Sequence, residues 1–151
     1  MPVMVECYHD YALVQSLGIP SDSLIHSSGK GDVLRAMAKA NGEAVGIVDE
    51  GFGKPAPREM DKYRETESVY GLRRMEHVND SGKVLIVIIP RLEEWLRHRA
   101  SCADIHVKEY GLPESPREFH RCPETLVCRH LNSGWAFRGA ESPGRGNYRR
   151  T

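Results

Sequence analysis

Ala44-Val45-Gly46-Ile47-Val48-Asp49-Glu50 reads as a buried strand with a charged end. Its apolar residues follow one another without a polar break, as in a strand covered on both faces, and the run stops on a carboxylate. The same pattern appears near the N-terminus, where Val3-Met4-Val5 leads into Glu6 and Asp10 follows four residues later. Downstream, Val84-Leu85-Ile86-Val87-Ile88-Ile89 is apolar throughout and ends at Pro90. In open α/β sheets, ligands sit at the carboxyl ends of the strands. The acids that follow these runs therefore fall where such a sheet would keep its site.

The segments between the runs read as helices and turns. A helix is expected over Asp10 to Leu17, with Asp10 as N-cap, Leu13, Val14 and Leu17 as its apolar stripe and Gly18 as its stop. Leu24-Ile25-His26 is a short second strand. Asp32 can cap a helix running to about Asn41, with Val33, Leu34, Met37 and Ala38 inward and Gly42 at its end. The order strand, helix, strand, helix, strand predicts a parallel α/β arrangement. Gly51 to Pro57 is a loop, and the polar stretch Arg58 to Thr66 suggests a short helix. Val69 to Val78 fits no single period but can pair with the Lys83 to Ile89 strand across a turn at Asn79-Asp80-Ser81-Gly82. A helix follows from Leu92 to about Val107, and Ser115-Pro116-Arg117-Glu118 looks like a capped helix start. A further short helix is expected over Glu124 to Leu131. The expected architecture is a mostly parallel open sheet flanked by helices, with room for an antiparallel edge strand. It forms a single domain over residues 1–132, followed by a C-terminal extension over 133–151 that is flexible at its end.

Among the 151 residues, 21 basic and 21 acidic side chains cancel, so there is no global electrostatic case for nucleic acid. Local basic character exists in the last fourteen residues, where Arg138, Arg145, Arg149 and Arg150 oppose only Glu141. No apolar run approaches a membrane span, and no basic segment followed by a long apolar stretch opens the chain. Sparse cysteines point to a reduced, cytoplasmic protein.

Glu6, Asp10, Asp49 and Glu50, with Glu93 or Glu94 after the last strand, can gather on one sheet edge. Helix phase does not choose between Glu93 and Glu94; adjacency to Trp95 favours Glu94. Carboxylate oxygens suit a hard cation such as Mg2+ or Mn2+, which needs one or two of them directly. The plainer reading makes these acids helix caps and solvated loop charges. Ser27-Ser28-Gly29-Lys30-Gly31-Asp32 offers two glycines, a helix start and a lysine, which together can receive a phosphate. It lacks the spacing of a Walker A loop. Cys102, His106, His120, Cys122, Cys128 and His130 match no standard finger or ribbon, so structural zinc is not expected. Cys7 and His9 alternate on what reads as an extended segment, without a further group to make Cys7 a nucleophile.

On these residues the chain resembles the Toprim fold of topoisomerases, bacterial primases and overcoming-lysogenization-defect nucleases, and looks closest to the small stand-alone Toprim-like proteins. The resemblance covers roughly residues 3 to 112. Glu6 in Val5-Glu6-Cys7-Tyr8-His9-Asp10 matches the family's glutamate after its first strand. Asp49 matches the first member of its Asp-x-Asp pair, and Pro90 to Trp95 matches an acidic segment of the small relatives. Two positions depart: Cys7 stands where glycine is usual, and Gly51 replaces the second aspartate.

The resemblance implies Mg2+- or Mn2+-dependent cleavage or transfer of phosphodiesters in DNA or RNA. Glu6, Asp49 and Lys30 would be catalytic, Gly29 and Gly31 would cradle phosphate, and Glu6, Asp10, Asp49, Glu50 and Glu94 would hold metal. The alternative is a non-catalytic regulatory or protein-binding module with a degenerate version of the fold. A receiver-type signalling domain fits less well, because no lysine follows Ile89. A homodimer or another protein partner is compatible with any of these; a membrane is not expected.

Overall fold

Apolar runs and turn residues sort the chain into alternating strands and helices in the structure, a computed structural model that describes residues 1–51, 53 and 55–121. In chain order the elements are β1 (Val3–Val5), α1 (Tyr8–Ser16), β2 (Leu24–His26), α2 (Lys30–Lys39), β3 (Ala44–Asp49), β4 (Tyr63–Val69), β5 (Leu72–His77), β6 (Asp80–Ile88), α3 (Leu92–Cys102) and α4 (Pro116–His120). Short 3-10 turns at Ser21–Ser23, Arg58–Lys62 and Val107–Tyr110 join some of them. The expected extension over 133–151, the helix over Glu124 to Leu131, and Cys122, Cys128 and His130 lie outside the described residues.

The six strands form one mixed sheet in the order β2-β1-β3-β6-β5-β4. β1, β2, β3 and β6 run parallel, and β4 and β5 extend the sheet antiparallel beyond β6. The expected mostly parallel α/β sheet with an antiparallel edge is therefore present, with two antiparallel strands rather than one. Arg58 to Thr66 is not a helix throughout: its second half opens β4. That strand shows no apolar alternation because, from Arg64 to Val69, it is exposed on both faces at the sheet edge.

Each strand's two-residue period divides the core. Met4, Ala44, Val48, Leu85 and Val87 meet Val33, Leu34 and Met37 of α2 on one face. On the other, Val3 and Val5 pack with Val14 of α1, and Ile88 packs with Ala12, Leu13, Leu92, Leu96, Ala100 and Phe119 from α1, α3 and α4. Gly46 faces α2; a Cβ there would run into the Met37 side chain, Val33 Cγ1 at 2.9 Å and Leu85 Cδ1 at 3.0 Å. Lys83, 5% exposed, lies on the same face and donates to the carbonyls of Ala40 (2.6 Å) and Gly42 (2.5 Å), supplying positive charge and donors at the C-terminal end of α2.

Three helix boundaries differ from expectation. α1 begins at Tyr8, because Cys7 and Asp10 cap it reciprocally: Cys7 N–H donates to Asp10 Oδ2 at 3.1 Å and Asp10 N–H donates to Cys7 Sγ at 3.4 Å. α2 begins at Lys30 with Gly29 at its cap, and Asp32 pairs with Arg35 instead of capping. α3 stops at Cys102, where Asp104 turns left-handed (φ 54°) and Ile105 N–H returns to the Ala100 carbonyl at 2.9 Å. This is a Schellman-type ending in which aspartate takes the place usual for glycine.

Candidate functional site

The parallel strands end together, and the acids that follow them meet at that edge. Glu6, just past β1, accepts the Asp49 N–H on Oε2 at 3.1 Å. Asp49, the last residue of β3, shares the face of Val45 and Ile47 and so points toward α1 and α3. Its Oδ1 accepts the Leu92 N–H at 3.0 Å. That bond satisfies a free donor at the start of α3, whose own cap residue, Arg91, offers no side-chain bond there. Asp10, in the first turn of α1, is fully buried. One of its oxygens caps Cys7, while Oδ1 has no hydrogen-bond partner. Glu93, in the first turn of α3, is 4% exposed.

These four carboxylates are close enough to act on one another. Burial pushes Asp10 up to about 7, with Glu6 and Glu93 adding to the rise and the bonds from Cys7 opposing it. Burial likewise pushes Asp49 up to about 8, with Asp10, Glu93 and Glu6 adding to the rise and the Leu92 N–H opposing it. Crowded carboxylates of this kind resist being charged together.

The other candidates divide between this edge and elsewhere. Glu50 follows Asp49 and takes the opposite direction, forming an ion pair with Arg73 of β5. Lys30 donates from Nζ to the Glu50 carbonyl at 2.7 Å, which ties the start of α2 to the loop after β3. Gly29 adopts φ 142°, a region that favours glycine, and Gly31 lies within the first turn of α2. Glu94, the sequence's preferred acid on α3, is not the one drawn into the cluster. The helix phase turns Glu93 toward Asp10 and Asp49, while Glu94 Oε2 is buried without a hydrogen-bond partner. Trp95 beside it is a packing anchor: its Nε1 donates to the Tyr70 carbonyl at 2.7 Å and holds the β4–β5 turn against α3.

Cys7 is not on an extended segment with His9; it caps α1, and its thiol is pushed well above its usual range by burial and by the charge of Asp10. A thiol so held is no nucleophile. Cys102 and His106 do not share a helix face, since α3 ends at Cys102, whose sulfur contacts His98 Nε2 at 3.7 Å.

Sequence reading did not assemble one further group. His9 Nδ1 lies 3.8 Å from Glu93 Oε1, and His120 Nδ1 lies 2.7 Å from the same oxygen. The potential ligand atoms of His9, Glu93 and His120 all fall within 4.8 Å of one another. Beside them, Arg91, Glu93, Glu94, Arg117, His120 and Arg121 line an open groove of about 450 Å3. The only local signal for Glu93 was its place after the strongest strand. His120 reaches the group because Phe119, fully buried, seats α4 against α3.

No helix among the described residues is long and apolar enough to cross a membrane. No family model matches the chain, and neither the curated proteins nor the solved structures contain a match to it.

Proposed function

We propose that the chain is a Toprim-like enzyme that cleaves or transfers phosphodiesters of nucleic acid with the help of Mg2+ or Mn2+. The observation that carries this reading is the buried Asp10 Oδ1, without a hydrogen-bond partner, among Glu6, Asp49 and Glu93. An all-carboxylate oxygen set fits a hard divalent cation, so Glu6, Asp10 and Asp49 would hold it. Bound there, the ion would supply charge neutralisation at the phosphate oxygens.

The chain's own residues support the rest of the reading. Asp10 and Asp49 favour a proton near neutrality, so cation binding is accompanied by proton release. Lys30 brings a point charge to the same edge, next to the glycine that caps α2. Arg117 and Arg121, exposed in the neighbouring groove, supply planar donors suited to phosphate. Local charge of this kind allows nucleic-acid binding in a chain of zero net charge.

One observation favours the alternative of a non-catalytic module. Glu6, Asp10 and Asp49 each accept a backbone N–H that ties two elements or caps a helix, which gives all three a structural use. Cation binding separates the readings. Calorimetric titration with Mg2+ and Mn2+, in the presence of short DNA and RNA strands, is expected to show binding that weakens more than about tenfold in Asp49→Asn. Asparagine keeps the Oδ1 acceptor for Leu92, so the variant retains that bond. Cleavage of one of the two strands should fall with it. No binding at millimolar Mn2+ in the wild type would transfer the assignment to the non-catalytic module.

A further inference from the structure

His9, Glu93 and His120 come from three separate helices, α1, α3 and α4, and their donor atoms converge on Glu93 Oε1. His9 and Glu93 are 8% and 4% exposed, and the His120 side chain is 68% exposed. We infer that these three residues form a binding site for a zinc-class divalent transition ion, distinct from the carboxylate site of Glu6, Asp10 and Asp49.

Donor chemistry and geometry both point there. Two imidazoles and one carboxylate are a borderline-soft set, suited to Zn2+, Co2+ or Fe2+ rather than to Mg2+. Metal–ligand bonds of about 2.0–2.1 Å place tetrahedral ligand atoms roughly 3.3 Å apart. The separations of 2.7 and 3.8 Å from Glu93 Oε1 straddle that spacing, and all three ligand atoms lie within 4.8 Å of one another. Two of the ligands are fixed by burial. The His9 ring also stands at 67° to the rings of Phe119 and His120, with centroids 6.3 and 6.1 Å away. The third ligand sits at the open groove and leaves room for a fourth, exchangeable ligand from solvent or substrate. Three protein ligands with an open position is the pattern of reactive rather than closed structural zinc sites. The plain alternative is a His120–Glu93 hydrogen bond and nothing more.

The inference stands apart from the proposed Mg2+-dependent activity, sharing with it only the border residue Glu93. Co2+ is the probe, because its visible absorption reports tetrahedral nitrogen–oxygen coordination. The full chain, without an added histidine tag, is titrated with Co2+ as wild type, His120→Ala and Asp49→Asn. The expected result is one set of visible bands in the wild type, kept in Asp49→Asn and weakened at least about tenfold in affinity in His120→Ala. Zn2+ should displace the Co2+ stoichiometrically. His120 is exposed, so its removal leaves the core intact. Absence of bands in the wild type, bands unchanged in His120→Ala, or bands lost in Asp49→Asn would each overturn the site. Loss of Mg2+ binding alone would leave it standing.

Discussion

Asp10 and Asp49 titrate against the fold. Each has an ordinary value of 3.8, and the folded chain raises them to about 7 and about 8. Between those limits the folded state binds more protons than the unfolded state, so stability falls as pH rises. The cation-free protein therefore has the full contribution of these groups below about pH 4. It should lose on the order of several kcal/mol on the way to pH 8, where Asp10 is charged and Asp49 about half so. Chemical denaturation in EDTA at pH 5, 6.5 and 8 checks this. Asp49→Asn should flatten the profile, and a wild-type profile with no fall across this window would refute the rise that burial, with the neighbouring carboxylates, gives Asp10 and Asp49. Burial, with the charge of Asp10 adding to it, keeps Cys7 a protonated cap, so the thiol adds no nucleophile.

The contact between α2 and β3 is a close helix–sheet seam. It rests on the missing side chain of Gly46, which lets Met37, Val33 and Leu85 close over the strand. Gly46→Ala is expected to destabilise the fold by about 1–3 kcal/mol through overpacking. A urea midpoint equal to the wild type's would show that Met37 can yield without cost. At the other end of α2, Lys83 fills the place of a C-terminal cap from a neighbouring strand. Asp49 does the converse for α3, lending a carboxylate to its first N–H. Both helices thus borrow their end groups from the sheet, which is why neither carries a conventional cap in its own sequence at those ends.

Across the molecule, protection from solvent should follow the sheet's cross-section. β3 and β6 are interior strands paired along their apolar runs from Ala44 to Asp49 and from Lys83 to Ile88. β4 is an exposed edge carrying Arg64, Glu65 and Glu67. Hydrogen exchange is expected to be slowest at the amides of β3 and the apolar half of β6, and fastest among the strands at β4. Uniform protection across all six strands would contradict this gradient. The polar, charged edge also blunts edge-to-edge association of the sheet. The candidate site lies at the carboxyl ends of the parallel strands, away from that edge's outer face.

Much of the parallel half was legible in residue order, because strands buried on both faces must be apolar without interruption. The runs at β1, β3 and β6 announce themselves in that way, and acids at their ends mark a polar edge. Strand parity accounts for the opposite directions that Asp49 and Glu50 take. Other features were written nowhere locally. β4 lacks alternation because neither of its faces is buried, and the end of α3 at Asp104 has no glycine to signal it. Glu93 rather than Glu94 joins the carboxylates because α3 is rotated by its packing through Leu92 and Leu96, and Phe119 carries His120 to Glu93 from a distant segment. Short-range period fixes what each element is; which side chains of different elements meet depends on how the packed helices turn against the sheet, and that is a property of the assembled core.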